Sequence, residues 1–209
     1  MGKSIKNFTK PGNADKYLFL DIDGVLNCLY SFKRDKGDLD WEDIWRDINL
    51  RNLKTLEYFI KHTSDRIHII LSSSWRNLTT RKKCIFELFN SQTDMTIEDV
   101  TVNLSYGTDL KIEKVRCEDA KKYIENYNKL GQNISHKLDL NRAYRGDEIQ
   151  YYMDKHGIKK EDIIIFDDDC DMLHLNDRLI KTSFRFDGLS YRHLKQAWKL
   201  LYGSEKEPI

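Results

Sequence analysis

Proline and long apolar segments are the two scarcest features of the sequence, and each absence excludes a class of protein. The two prolines, Pro11 and Pro208, lie near the ends of the 209 residues, so no proline-rich linker divides the chain. No early apolar stretch is long enough for a signal peptide or a membrane-spanning helix, and we therefore expect a cytoplasmic protein. The four cysteines form no C-x-x-C pair, which disfavours zinc and thioredoxin-like sites and indicates reduced thiols.

An excess of charge of one sign is also lacking. Lys and Arg together number 35 and Asp and Glu 34, so the formal net charge is +1 and no strong global field would attract nucleic acid or a membrane. The hydrophobic content of 40% and the charged content of 33% are typical of a globular chain rather than a disordered one. We expect one domain over residues 16–203, with a flexible segment at 1–15 and a tail at 204–209.

The most informative segment is KYLFLDIDGVLN, residues 16–27. Its apolar run, 17–20, predicts a buried strand that ends at Asp21, with Asp23 just beyond it. Two carboxylates two positions apart on an extended chain can face the same space, and anions placed there usually need a cation between them. Gly24 would allow a sharp turn or the close approach of a ligand. The pattern indicates a nucleophilic carboxylate and a second carboxylate around a hard metal ion, with an exposed acidic turn as the alternative.

Two further apolar runs end in polar side chains. The run 67–71 is followed by Ser72, and the run 163–166 is followed by Asp167 and Asp168. Continuous apolar strands that alternate with helical patterns predict an α/β fold, in which a mainly parallel sheet is covered on both faces. Because ligands of such folds bind at the carboxyl ends of the strands, these polar side chains should share one rim with the first two aspartates.

The remaining elements are indicated by weaker patterns. Helices are expected at 49–62, 78–90 and 148–156 and after Ser190, and strands at 100–104 and 179–184. Residues 28–50 could form a loop or a small cap, and residues 105–141 form an insert that could act as a modest lid. Asp21 and Ser72 lie 51 residues apart, which leaves space for a small lid rather than a large domain, and an open site favours bulky substrates.

Together these residues resemble the haloacid dehalogenase (HAD) superfamily of phosphotransferases. FLDIDGVLN resembles the first motif of that superfamily, and IILS, which ends at Ser72, resembles the second. Arg145 stands where the third motif has Lys or Arg, and IIIFDDD resembles the acidic fourth motif. The strings LSSSWR, RGDEI, DDDCDM and GLS resemble a small-cap branch of the superfamily. The resemblance implies a HAD-like, Rossmann-type fold of three layers with at most a small cap.

The resemblance also implies catalytic roles. Asp21 would attack phosphorus and form an aspartyl-phosphate, and Asp23 would protonate the leaving oxygen and then deprotonate the hydrolytic water. Ser72 would donate a hydrogen bond to a phosphoryl oxygen, and Arg145 would offset the negative charge. Arg142 and, less favoured, Lys137 are alternatives for that cation. We prefer Arg145 because the start of its helix also supplies backbone donors.

Metal and phosphate binding follow from the same resemblance. Mg²⁺ would be held by Asp21, Asp23 and Asp168, with Asp167 in support of the metal or of the third-motif cation. The candidate phosphate-binding residues are Gly24, Ser73 and Arg76. Trp75, which lies between the last two, is interpreted as packing in the core or in the wall of the site.

The predicted function is a Mg²⁺-dependent phosphomonoester hydrolase. The favoured substrate is a phosphoprotein, phosphotyrosine included, because the aromatic residues Tyr30, Phe32, Trp41 and Trp45 could form a wall beside an open site. A phosphatase for nucleotides or nucleic-acid 3′ ends is the alternative, which the near-neutral charge disfavours. A non-catalytic binding module on the same fold is the alternative of another class, and the intact motif residues argue against it.

Overall fold

The computed structural model describes residues 14–29, 48–105, 109–130 and 137–203. Its strands are β1 Asp15–Leu20, β2 Arg66–Leu71, β3 Ile97–Val100, β4 Ile163–Asp167 and β5 Leu179–Lys181. Its α-helices are α1 Leu50–His62, α2 Thr79–Gln92, α3 Ile112–Val115, α4 Glu118–Leu130, α5 Arg145–His156 and α6 Tyr191–Tyr202. Short 3₁₀ helices span Ser74–Asn77, Lys160–Asp162 and Leu173–Arg178. None of these described helices has the length and apolar composition needed to cross a bilayer.

The five described strands form one parallel sheet in the order β3-β2-β1-β4-β5. β1 is the central strand, and its last residue, Leu20, pairs with Leu71 of β2 and with Phe166 of β4. The three strands therefore end level with one another, and the residues that follow them lie side by side. This arrangement confirms the α/β fold and the parallel sheet that the sequence predicts.

Helices cover both faces of the sheet and so form three layers. Alternate residues of a strand point to opposite faces, and Leu18 and Leu20 of β1 pack with α1, α2 and α6 on one side. Phe19, between them, packs with Ile149 and Met153 of α5 on the other side. Because both of its faces are buried at the centre, the sheet has continuous apolar runs at 17–20 of β1 and 163–166 of β4 rather than alternating ones.

Two of the predicted strands differ from the observed ones. The strand expected at 100–104 lies earlier, at Ile97–Val100. Ile97 is buried in the core, and residue 101 already follows the carboxyl end of the strand. The strand expected at 179–184 ends at Lys181, because the chain then turns so that the backbone N–H of Phe184 reaches Asp168. α5 also begins at Arg145, three residues before the apolar pattern indicates.

The described part of the 105–141 insert packs against α5. Ala120 and Ile124 of α4 are buried in a small cluster with Tyr144, which precedes α5. The guanidinium of Arg116 forms a two-point ion pair with Asp147 of α5, with distances of 2.9 Å from Nε to Oδ1 and 2.6 Å from Nη2 to Oδ2. The insert is therefore tied to the first turn of α5, and its role as a lid stays a prediction.

Arg116→Ala should destabilise the fold strongly. The side chains of Arg116 and Asp147 are only 2% and 1% exposed, so the variant would leave a buried carboxylate without its partner. We expect the free energy of unfolding, measured by urea denaturation, to fall by about 3–5 kcal/mol. Lys121→Ala is the matched control, because it breaks an exposed ion pair with Glu118 and should cause no measurable loss. Equal losses in the two variants would contradict the assignment of a structural role to the buried pair.

Candidate active site

The site lies at the carboxyl edge of the sheet, where each strand of the described fold is followed by a polar residue or ends in one. These residues are Asp21, Ser72, Thr101, Asp167 and Thr182. Backbone hydrogen bonds continue the sheet one residue further, from the Asp21 N–H to the Phe166 carbonyl (2.9 Å) and from the Ser72 N–H to the Leu20 carbonyl (2.8 Å). The backbone of the site is therefore fixed by the sheet itself rather than by flexible loops.

Three carboxylates meet at this edge. Oxygen atoms of Asp21, Asp167 and Asp168 all lie within 4.8 Å of one another, and the first two side chains are buried. Gly24 makes room for the third, because a Cβ at this position would overlap the Asp168 side chain and its φ of +74° favours glycine. The three oxygens form a donor set of the kind that hard cations prefer.

The raised pKa values of the three aspartates indicate that their negative charges are not fully balanced by the positive charge nearby. The pKa of Asp21 is raised to about 7, mainly by burial and to a smaller extent by the Asp23 carboxylate, although the Arg145 guanidinium and a hydrogen bond from the Ser73 hydroxyl oppose both effects. Burial and the neighbouring Asp21 raise the pKa of Asp167 well above its usual range. Burial also raises the pKa of Asp168. A divalent cation among these oxygens would remove the mutual repulsion, so the residues present fit Mg²⁺.

The carboxylate of Asp23 is held outside this cluster. The indole N–H of Trp75 donates to both of its oxygens, at 3.1 and 3.0 Å, and the Asn27 side-chain amide donates at 2.8 Å. Asn27 also accepts a hydrogen bond from the Gly24 N–H at 2.9 Å, which fixes the turn. The sequence predicts Asp23 as a metal ligand, whereas the structure places Asp167 in the cluster in its stead. The Asp23 assignment remains a prediction.

Trp75 therefore orients Asp23, a role that the amino-acid sequence does not indicate. It is 2% exposed and packs in the core, as expected, but its polar edge faces Asp23. The only sequence signal is its position three residues after Ser72, which brings it over the rim at the start of a 3₁₀ helix. Since Asp23 is the candidate proton donor and acceptor, the orientation of its carboxylate depends on this indole.

Trp75→Phe should lower the catalytic rate by about 10- to 100-fold, because a hydrogen bond to a charged group is lost while the bulk is kept. The loss should be larger for alkyl phosphates than for p-nitrophenyl phosphate, whose leaving group needs little help from a proton donor. Steady-state kinetics with both substrates measure this difference. Trp198→Phe is the control, because its indole donates to Thr63 in the core, at 3.2 Å. A leaving-group effect of equal size in the control would contradict the role of Trp75.

Arg145 is the first residue of α5 and lies against the acidic cluster. Its Nε is 3.8 Å from Oδ2 of Asp167, and its backbone N–H donates to the Asp171 carboxylate at 3.2 Å. Burial alone would lower the pKa of Arg145, but Asp21 and Asp167 outweigh it and the pKa is raised. Its Nη1 is buried and has no hydrogen-bond partner among the described residues. A permanent cation with an unsatisfied donor is suited to bind a phosphoryl oxygen.

The alternative cations lie elsewhere. The Arg142 guanidinium lies over the Tyr144 ring, 5.8 Å from its centroid, and the Arg142 carbonyl accepts a hydrogen bond from Arg116. Lys137 is exposed. The geometry therefore supports Arg145 as the third-motif residue, an assignment that still needs a functional test.

The two serines that follow β2, Ser72 and Ser73, form different hydrogen bonds. The Ser73 hydroxyl donates to Asp21 and accepts from the Trp75 N–H at 3.3 Å, so it links the candidate nucleophile to the 3₁₀ helix. The Ser72 hydroxyl accepts from the Thr101 hydroxyl at 3.4 Å. Ser72 remains the predicted phosphoryl contact, and Ser73 is the serine that the structure brings to Asp21.

Arg76 is already engaged by protein groups. Its Nη2 lies 2.5 Å from Oε2 of Glu148 on α5, and its Nη1 donates to the Ser73 carbonyl at 2.6 Å. Both side chains of the pair are nearly buried, and Glu148 also accepts from the Leu104 N–H. This bridge ties the β2 end to α5, a function that the sequence does not indicate. A contact between Arg76 and a substrate phosphate stays a prediction that requires an exchange of partners.

The comparisons with known proteins agree with this geometry. A family model described as the HAD domain in Swiss Army Knife RNA repair proteins matches residues 17–194. The match runs from β1 into α6 and includes all the candidate site residues, which confirms the resemblance to the HAD superfamily. Neither a search of curated proteins nor a search of solved structures finds a match to this chain. HAD domains generally use Mg²⁺, and the three-aspartate cluster could hold it.

Proposed function

The chain belongs to the family of HAD domains in Swiss Army Knife RNA repair proteins, and we propose that it is a Mg²⁺-dependent phosphatase acting on the 3′-phosphate of an RNA end. The observation that carries the proposal is the cluster of Asp21, Asp167 and Asp168, with the unsatisfied donor of Arg145 beside it. The RNA repair context of the family supports RNA as the carrier of the phosphate. A strand end with a 3′-phosphate lacks the free hydroxyl needed for rejoining.

In this proposal two aspartates divide the chemistry. Asp21 forms a bond to phosphorus as the bond to the 3′-oxygen breaks, and Asp23 gives that oxygen a proton. Water then attacks phosphorus, Asp23 takes a proton from it, and Asp21 is released as a carboxylate with inorganic phosphate. The Ser73 hydroxyl orients Asp21, and the free N–H of Arg145 binds a phosphoryl oxygen whose negative charge it offsets.

Asp21, Asp167 and Asp168 are the residues that would hold Mg²⁺. When bound, the ion would offset the charge of the cluster and of the phosphoryl group. Asp23 is outside this cluster and is held by hydrogen bonds from Trp75 and Asn27, so its carboxylate would have to approach the cluster to become a ligand as well.

The sequence-based preference for a phosphoprotein has less support than RNA. It depended on the aromatic residues Tyr30, Phe32, Trp41 and Trp45, which lie outside the described residues. The family supplies an RNA context in place of a protein one. A non-catalytic binding module would not require Asp21 and Arg145 to converge with Asp167 and Asp168.

Phosphate release from a set of matched substrates tests the proposal. The set contains an RNA decamer with a 3′-phosphate, the same decamer with a 5′-phosphate, a phosphotyrosine peptide, a phosphoserine peptide and p-nitrophenyl phosphate. We expect the 3′-phosphorylated RNA to have the highest kcat/KM, all activity to disappear on exhaustive chelation, and Mg²⁺ to restore it. A preference for either peptide would favour the phosphoprotein function, and inactivity on all substrates would favour the binding module.

A further inference from the structure

A groove lies between α1 and the N-terminal half of α6. Its volume is about 460 Å³, and it is lined by Arg51, Lys54, Thr55, Tyr58, Tyr191 and Leu194. The rings of Tyr58 and Tyr191 are 6.1 Å apart, and each residue is 41% exposed. Exposed aromatic rings at this spacing offer apolar surface that the fold itself does not bury.

The groove is attached to the loop that carries the candidate catalytic residues. The Leu189 N–H, just before α6, donates to the Val25 carbonyl at 2.8 Å, and the Asn49 N–H, just before α1, donates to the Leu26 carbonyl at 2.8 Å. The Asn52 side chain also donates to the Val25 carbonyl, at 3.1 Å. Val25 and Leu26 follow Asp23 by two and three residues, so both helices start beside the site and the groove leads away from it.

The charge of the groove is positive. Arg51 and Lys54 are exposed on α1, and the Lys195 ammonium lies 5.3 Å from the centroid of the Tyr191 ring. None of the described residues that line the groove is acidic. Cations beside exposed aromatic rings suit single-stranded RNA, since its bases stack on such rings and its phosphates need counter-charge.

A third exposed aromatic residue precedes α6. Phe186 is 65% exposed on the loop that joins β5 to α6, next to the exposed Arg185. The same loop donates the Phe184 backbone N–H to Asp168, so it borders the acidic cluster. The loop that borders the cluster therefore also offers an exposed aromatic ring to a base near the phosphorylated end.

We propose that the α1–α6 groove binds the single-stranded RNA segment that leads to the phosphorylated end. Bases stack on Tyr191 and Tyr58, and phosphates lie near Arg51 and Lys54. The inference rests on the proposed function, because the same strand delivers its terminal phosphate to the acidic cluster.

Binding of an unphosphorylated RNA decamer, measured by fluorescence anisotropy, tests the groove without requiring turnover. Arg51→Glu/Lys54→Glu should weaken binding by at least about tenfold and reduce the slope of log Kd against log salt concentration by about 1.4. The control, Lys155→Glu/Lys159→Glu, changes the net charge equally at exposed positions at and just after the end of α5, and should keep Kd within about twofold. Equal weakening in the two variants, or no binding by the unaltered protein, would overturn the proposal.

Kinetics separate the groove from the phosphatase activity. With the groove variant, kcat/KM for the 3′-phosphorylated decamer should fall at least about fivefold more than kcat/KM for p-nitrophenyl phosphate, mainly through KM. Phe186→Ala should raise KM for the same decamer. RNA that binds in the groove but keeps its phosphate would refute the proposed function alone. If the groove variant dephosphorylated RNA as fast as the unaltered protein, only the proposed role of the groove would be refuted. If the groove variant instead lost activity on a phosphopeptide, the groove would be assigned to a protein partner.

Discussion

Asp21→Asn is expected to reduce phosphate release by at least about 10⁴-fold, because an amide cannot form the acyl phosphate. The substitution keeps the size of the side chain and removes a charge from a position where burial raises the pKa of the acid to about 7. The variant should therefore fold, which circular dichroism and thermal unfolding can confirm. The rate is measured as release of inorganic phosphate from p-nitrophenyl phosphate and from the 3′-phosphorylated RNA.

The matched control is Asp154→Asn, at an exposed position of α5, which should retain normal turnover. If Asp21→Asn kept more than a tenth of the activity, another nucleophile would have to be found. The neighbouring carboxylates Asp167 and Asp168 would then be the first residues to examine, since their oxygens lie within 4.8 Å of those of Asp21.

Arg145→Ala should lower the catalytic rate by about 10²–10³-fold, the usual cost of losing one donor aimed at developing negative charge. The variant would also leave the buried Asp167 without its cation, so Mg²⁺ affinity and stability should change together with the rate. Arg145→Lys should recover part of the activity, because the charge returns without the planar fork of donors. Steady-state kinetics at several Mg²⁺ concentrations measure the rate, the Mg²⁺ dependence and the recovery by lysine, and thermal unfolding measures the stability.

Arg142→Ala is the internal control for that experiment. Its side chain lies over the Tyr144 ring, and the contact it makes with Arg116 uses only its backbone carbonyl, which alanine keeps. We expect its turnover to stay within about twofold of normal, as for most surface substitutions. A severe loss in Arg142→Ala together with a mild loss in Arg145→Ala would mean that the cation of the third motif is assigned to the wrong residue.

The sequence predicts the strand ends well because the signal there is local. The runs before Asp21 and Asp167 are continuously apolar, the run before Ser72 is interrupted only by His68, and each run lies within about six residues of the polar residue that ends it. β3 is displaced from its prediction because its four residues carry only one fully buried side chain, Ile97, so the apolar pattern is too short to place it. The position of a strand is hardest to predict where few of its side chains are buried in the core.

The contacts that orient the site residues cannot be predicted from local sequence, because they join distant parts of the chain. Trp75 reaches Asp23 across 52 residues, and Arg76 reaches Glu148 across 72. The buried pair of Arg116 and Asp147 spans 31 residues. Periodicity and spacing carry no information on such pairs, and the side chains involved read as an aromatic core residue and as ordinary surface charges.

Net charge was similarly uninformative about nucleic acid. The value of +1 describes the sum over the whole chain, whereas a strand of RNA meets only the surface along its path. Arg51 and Lys54 lie on the exposed side of α1, and acidic residues elsewhere cancel them in the total. A local concentration of cations is therefore compatible with a near-neutral protein.

The central position of β1 also has a consequence for the order in which the protein is made. β1 emerges first from the ribosome, but one of its two neighbours, β4, begins 148 residues after it, as the numbering of Asp15 and Ile163 shows. At about 5–20 residues per second, that neighbour follows after roughly 7–30 s. Until then Asp21 is present without Asp167 or Asp168, so a nascent or prematurely ended chain carries the candidate nucleophile but cannot assemble the three-aspartate cluster. The candidate site can therefore form only after nearly the whole domain has been synthesised.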